Sequence, residues 1–323
     1  FKYETYLNFF IPSLHRFKIK AFRSSDLAEV GAPLLYQTSL LFKQDAIRNL
    51  YASNMAFQEK LGIQLSGHLK ANQHFEVETS LQRNEYTDAY QYQGESSSQV
   101  LMSRFMFSWA FREESALYGE VLQPKPSNYP KIQIQLEHAW PIANWSTIAY
   151  SFNRIQLNAF QSLIIPGRGV LNWNARFSRT DRSTPLLFQH VVSASQFANQ
   201  KGLNVSVANT FETLISTAFY HQTQLQIFTR YTQNAWRTKA AWNEPQLGVH
   251  YAFGWGTMPQ TSVHNTSFMT MDKGFHEAGI LLNGLWVNGS SSFGIGVFSS
   301  FGYYAPKEWK QKLVPKLSLG YVF

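Results

Sequence analysis

The sequence predicts an all-β chain, a transmembrane antiparallel β-barrel of the outer-membrane type with roughly 12–16 strands, at about 10 residues per tilted strand plus loops. Three observations point there. Segment after segment alternates with period two, the repeat of a strand whose successive side chains point to opposite faces. One face of these segments is large, apolar and often aromatic, whereas the other is small or polar. Between them, long polar connectors are interspersed with tight turns, as in outer-membrane barrels.

The strands can be read in chain order. Phe75, Val77, Thr79 and Leu81 alternate with Glu76, Glu78, Ser80 and Gln82. Phe105, Phe107, Trp109 and Phe111 form a fully aromatic stripe in the next such segment. Ile132, Ile134 and Leu136 then oppose Gln133, Gln135 and Glu137, and Leu171, Trp173, Ala175 and Phe177 oppose Asn172, Asn174, Arg176 and Ser178. Leu247, Val249, Tyr251, Phe253 and Trp255 alternate with Gly248, His250, Ala252 and Gly254. Two packed antiparallel sheets would alternate as well. Their core, about 10 Å thick, poorly accommodates that much ring volume, and the opposite face has the composition of a wet interior. The connectors are expected at 24–33, 84–99, 113–130, 179–185 and 257–274, with a tight turn at 288–290. Residues 43–60 and 209–223 fit either short helices or irregular strands. Trp140, Trp145, Tyr303, Tyr304 and Trp309 fall near strand ends, where an aromatic girdle sits at headgroup level. No repeat or composition break divides the chain, so residues 1–323 are expected to form one barrel domain.

Composition narrows the function. Charged residues make up 15% and aromatics 16% of 323 residues, against a charged fraction of about 25% in ordinary soluble domains. No apolar run approaches the roughly 18 residues of a spanning helix. Cysteine is absent, which removes disulfide scaffolds, thiolate metal sites and thiol catalysis. The net charge is +8, but the basic residues are scattered singly, so no nucleic-acid partner is expected. The first residue is Phe1, with no charged-then-apolar leader.

Few polar residues are spaced for chemistry. His264, Asn265 and Ser267 lie close together and faintly resemble the His and Ser of an outer-membrane phospholipase, although a triad is defined by geometry and not by proximity in sequence. Glu76 and Glu78 share a face, but acid–base work needs a perturbed carboxyl. His138 and His250 lack a third metal ligand, and Gly294-Ile295-Gly296 lacks the rest of a dinucleotide fingerprint. No catalytic residue, metal or cofactor is therefore expected. Arg104, Arg112, Arg176 and Arg230 occupy parities opposite the aromatic faces. Facing lipid, an arginine costs roughly 2–4 kcal/mol at mid-depth, so all four are expected to face the lumen with Glu76, Glu78 and Glu137. There they either form Arg–Glu pairs in a filled lumen or favour anions in an open one.

The chain ends KLSLGYVF, with Leu317, Leu319, Tyr321 and Phe323 on one face. This resembles the C-terminal signal by which outer-membrane proteins are recognised by the barrel-assembly machinery. Over residues 166–323 the chain also resembles a Bacteroidota outer-membrane family of unknown function, whose members usually carry an N-terminal carboxypeptidase-regulatory-like domain, absent here. The matching stretches are NTFETL (209–214), GWGTM (254–258), MTMDKGFHEAGILLNGL (269–285) and FGIGVFSSFGYYA (293–305), in the same order. Asp272, Lys273, Gly274, Glu277 and Gly279 carry the most specific part. The resemblance implies a short member or the C-terminal part of a longer product.

The expected function is that of a non-enzymatic structural or scaffold subunit in an envelope assembly for secretion, uptake or surface display. Its partners would be outer-membrane lipid, the barrel-assembly machinery during biogenesis, and other envelope proteins. A passive or gated anion-preferring channel is the alternative, and an outer-membrane hydrolase the third reading.

Overall fold

The structure is a computed structural model and describes residues 3–10, 17–29, 55–70, 72–86, 90–112, 115–118, 121–124, 128–140, 142, 151–196, 205–206, 209–215, 219–235, 245–288, 291–308 and 312–321. The strands are β1 (Tyr3–Phe10), β2 (Phe17–Glu29), β3 (Met55–Lys70), β4 (Gln73–Tyr86), β5 (Ser97–Ala110), β6 (Ser115–Tyr118), β7 (Val121–Pro124), β8 (Lys131–Trp140), β9 (Phe152–Ile165) and β10 (Gly169–Thr180). They continue as β11 (His190–Val191), β12 (Ala194–Gln196), β13 (Val205–Ser206), β14 (Phe211–Ile215), β15 (Tyr220–His221), β16 (Thr223–Asn234), β17 (Gln246–Thr257), β18 (Met271–Asn288), β19 (Ser291–Phe301) and β20 (Leu313–Tyr321). The chain is all-β, and no described helix is long and apolar enough to cross a membrane.

One sheet dominates. Its order is β1-β2-β3-β4-β5-β8-β9-β10-β16-β17-β18-β19-β20-β13, 14 strands in all. Each long strand is antiparallel to its neighbour, and only β13 joins in parallel, on the edge of β20. The other described sheets, β6-β7, β11-β15 and β12-β14, have two strands each, so the alternative of two large packed sheets is not what this chain builds. The large sheet does not close, because β1 and β20 do not pair.

It is nevertheless strongly curled. The Glu212 carboxylate lies 3.4 Å from Arg230 on β16 and 3.1 Å from Lys316 on β20. In a flat sheet those two strands, four steps apart, would be about 19 Å from each other. Tyr90, just before β5, likewise meets His264, just after β17. Five inter-strand steps separate β5 from β17, so the two contacts together place the curl over the stretch from β5 to β20.

The curl gives the sheet an inner and an outer face, and polarity is inverted between them. Buried inner positions include Glu78, Gln82, Gln135, Glu137, Arg154, Asn174, Arg176, Gln226, Glu277 and Lys316. The alternate residues are large, apolar and exposed, such as Ile63 at 61%, Val249 at 50%, Ile280 at 61% and Ile295 at 52%. Burial of paired polar residues beside exposed aliphatic ones is the reverse of what water selects.

The connections differ at the two ends of the strands. At one end are a hairpin turn through Asn72 between β3 and β4 and the turn at 166–168 between β9 and β10, together with the longer connection from β5 to β8 that carries β6 and β7. At the other lie the long segments 87–96, 181–222 and 258–270. Several expected boundaries shift. Residues 24–29 belong to β2 because Ser24, Ser25 and Asp26 line a polar groove on the inner face and do not form a turn. The 113–130 connector contains the β6-β7 hairpin, and β18 begins at Met271 inside the expected 257–274 loop. Of residues 43–60, the described part, from Met55, is strand, and 209–223 form β14, β15 and the start of β16.

Candidate functional site: a polar inner face and its insert

The alternation of β4, β5, β8 and β9 places carboxylates and guanidinium groups together on the inner face. Arg104 Nη2 donates to Glu76 Oε1 at 2.8 Å and to Glu78 Oε2 at 2.5 Å. Two strands along, Arg154 Nε lies 3.2 Å from Glu137 Oε2, and Gln135 Nε2 donates to Glu137 Oε1 at 3.0 Å. Glu78 accepts from Ser80, which accepts from Gln82, while Gln58 donates to Asn84 at 2.8 Å. Amides and hydroxyls thus supply the hydrogen bonds that buried charges need in addition to their ion partner. Beside them Lys20, Lys60, Arg104 and Glu78 border an open groove of about 290 Å³.

The described residues between β10 and β16 form an insert that packs on the other half of the inner face. Its short strands bury Val192, Ala194, Phe211 and Leu214 against Phe228, Ala252, Met271 and Phe275 of the wall. Glycine makes room for it. A Cβ on Gly254 would lie 2.7 Å from the Phe211 ring, and one on Gly256 would lie 2.4 Å from His221. The insert is also clamped by charge. Glu277 accepts hydrogen bonds from Glu212 N at 2.8 Å, Thr213 N at 2.7 Å and Thr213 Oγ1 at 2.6 Å, with His250 Nε2 at 3.2 Å. Glu212 in turn accepts from Ser195 and Ser206 at 2.7 and 2.6 Å and pairs with Lys316 and Arg230. Lys316 Nζ also donates to Ser195 Oγ.

Three loops meet above the insert. Tyr90 Oη accepts from Leu186 N at 3.0 Å and lies 2.8 Å from His264 Nδ1, while Tyr92 Oη donates to Ser183 O at 3.0 Å. Leu186, Phe188, Tyr220 and Met258 join this cluster. Burial holds His264 down to a pKa of about 4 and His221 to about 3. Burial also pushes His190 well below the usual imidazole value, with the Arg154 charge adding to it. These imidazoles are therefore neutral structural groups. His221 Nε2 accepts from Met271 N at 3.0 Å.

The expected inner-face residues separate as follows. Arg104, Glu76 and Glu78 meet in one cluster, whereas Glu137 pairs with Arg154. Arg176 is buried, donates to Ser193 at 2.6 Å and lies 5.5 Å from the Phe228 ring centroid. Arg230 meets Glu212. Arg112 does not follow the alternation, because β5 ends at Ala110 and Arg112 turns the chain at φ 45°. It is exposed and donates to Tyr129 Oη at 2.9 Å, away from the inner face. Leu317, Leu319 and Tyr321 lie in β20, paired with Ile295, Phe293 and Ser291 of β19. Phe323, Trp145 and Trp309 lie outside the described residues. Trp140 and Tyr303 are exposed at 49% and 68%. No hydrogen bond among the described residues joins Ser267 to His264, whose Nδ1 is engaged by Tyr90, and Asn265 Oδ1 accepts from Gln91 N. No group of three metal-ligating side chains occurs among the described residues.

Arg154, Glu212 and Lys316 were not singled out in the sequence. Arg154 and Lys316 carry a readable signal, since NRIQLN and KLSLG alternate like the other strands. Glu212 carries none, because β14 is too short to show a period. NTFETL, GWGTM and DKGFHEAG nevertheless converge at one junction. The first supplies Phe211, Glu212 and Thr213, the second the glycines beneath Phe211 and His221, and the third Glu277. No protein-family model matches the chain, and no curated protein matches it either.

Proposed function

We propose that the protein is an integral outer-membrane β-barrel, closed in the bilayer from the curled sheet, in which the insert fills much of the lumen. In this reading it is a non-enzymatic structural or scaffold subunit of a larger envelope assembly. The inversion of polarity carries the reading: paired charges are buried on the inner face while a continuous aliphatic face remains exposed. In water that outer face would be an aggregation surface, and in a bilayer it is matched to its solvent. The long-loop and short-turn ends, the aromatic residues at strand ends and the C-terminal KLSLGYVF agree with it, as does the resemblance to the Bacteroidota barrel family. The insert, held by Glu277 and Glu212, favours a scaffold over a wide diffusion channel.

Because the chain has no cysteine, single cysteines at Val249, Ile280 and Ile295 can be probed in isolated membranes. A lipid-soluble maleimide is expected to label them, and a membrane-impermeant one to leave them unlabelled. Labelling by the water-soluble reagent, or recovery of a monodisperse monomer without detergent, would overturn the membrane reading. A gated anion channel is the second reading, favoured by the open groove beside Lys20, Lys60 and Arg104. It requires steady anion-selective openings in planar bilayers that change with Arg176→Glu or Arg230→Glu.

A further inference from the structure

On the outer face, the register places Val77, Phe105, Leu136 and Ile155 in one row across β4, β5, β8 and β9, and Arg179 on β10 continues it. The next row toward the long-loop end is polar, with Ser103 beside His138, His138 beside Asn153, and Asp181 just beyond. These two rows line a groove of about 450 Å³, within the size range of small-molecule sites. Its floor is apolar and its upper rim is hydrogen-bonded. Asp181 is occupied, accepting from Asn153 N at 2.9 Å and Asn153 Nδ2 at 2.6 Å, while His138 Nδ1 lies 2.8 Å from Asn153 Oδ1. Trp140 stands over the rim, 4.2 Å from the His138 ring and donating to Ser103 Oγ at 3.1 Å. Arg179 is exposed and makes no side-chain hydrogen bond or ion pair with any described residue.

We propose that this groove binds one anionic phospholipid, with its phosphate on the Arg179 guanidinium and an acyl chain along Val77, Phe105, Leu136 and Ile155. The inference rests on the membrane reading above. Guanidinium groups favour phosphate because their planar donors fit its oxygens two at a time. An unpaired arginine on an otherwise apolar face is costly at mid-depth and tolerated near the interface. Arg179 lies at the loop end of β10, one residue from its last, Thr180. A headgroup phosphate there supplies a counter-charge that no described residue provides, and the apolar floor beside it accounts for a concavity that would otherwise hold disordered lipid tails. The bound lipid would also span β4 to β10 from outside, opposite the Arg104–Glu78 and Arg154–Glu137 pairs.

The test is native mass spectrometry of the purified, delipidated full chain in detergent, titrated with dimyristoyl phosphatidylglycerol or with phosphatidylcholine of the same chains. One phosphatidylglycerol per protein is expected, bound at least tenfold more tightly than phosphatidylcholine. Arg179→Glu should abolish that preference, while Arg168→Glu, exposed at the short-turn end, should keep it. Should Arg179→Glu fail to give heat-modifiable folded protein, Arg179→Gln replaces it with the same expectation. Equal adducts with both lipids, an unchanged preference in the Arg179 variants, or equal loss in Arg168→Glu would overturn the site. A chain that stays folded and monodisperse without detergent would instead overturn the membrane reading, so the two failures can be told apart.

Discussion

Glu212 and Lys316 are both buried, and their side chains are fully inaccessible to solvent. Removing Lys316 leaves Glu212 with Arg230 as its remaining cation, so the cost is expected below the roughly 3–5 kcal/mol of a fully uncompensated buried charge. Lys316→Met is therefore expected to lower the temperature at which the folded form loses its fast electrophoretic migration. The Lys316→Met/Glu212→Gln double variant should recover part of that loss, and a double variant no better than the single would argue against the pairing. The buried imidazoles set a pH dependence whose sign is fixed. With folded-state values near 3 for His221 and 4 for His264, the unfolded chain binds protons first as pH falls below about 6.5. Their contribution is whole above that value and declines on acidification toward pH 3–4. His264→Phe, which keeps an aromatic ring beside Tyr90, Tyr92 and Phe268, is expected to flatten that decline. An unchanged slope between pH 6.5 and 4 would contradict it.

At the scale of elements, the long strands were legible and the insert was not. Strands such as β4, β8 and β10 run 10 to 14 residues, enough for two-residue periodicity to stand out. The insert's strands have 2 to 5 residues; β13 joins the edge of β20 and the others pack on the sheet's inner face, relations that no local pattern encodes. The inner placement of Arg104, Arg176 and Arg230 follows from parity, whereas that of Arg112 does not because parity ends with the strand. GWGTM reads in sequence as small positions alternating with large ones, but only the fold shows that Phe211 and His221 fill those spaces. Gly254→Val should therefore unseat the insert while leaving β17 able to form, since valine suits strands. The expected readout is faster proteolysis of the insert with the large sheet retained, and unchanged cleavage would count against the cradle. In the barrel proposed above, deleting 186–215 should give conductance in planar bilayers that the full chain lacks; a silent deletion variant would mean that other parts fill the proposed lumen.

At the scale of the molecule, the excess of positive charge does not describe the inner face, where Arg104, Arg154, Arg230 and Lys316 each meet a carboxylate. Buried pairs are screened little by salt. Thermal stability in detergent is accordingly expected to change little between 0.1 and 1 M sodium chloride, whereas a steep fall would place these pairs in water.

The meeting of three loops around Tyr90 bears on the order in which the molecule is built. Tyr90 and His264 are 174 positions apart, and Tyr90 and Leu186 are 96 apart. The Tyr90–Leu186 contact needs the strands from β5 to β10 in place, and the Tyr90–His264 contact needs those from β5 to β17 in place and curled. Closing loops of that length is entropically expensive before the intervening ladders form. The aromatic cap thus acts as a timekeeper: its protection from protease reports completion of the sheet, and among the described contacts it should be among the last acquired as the chain folds.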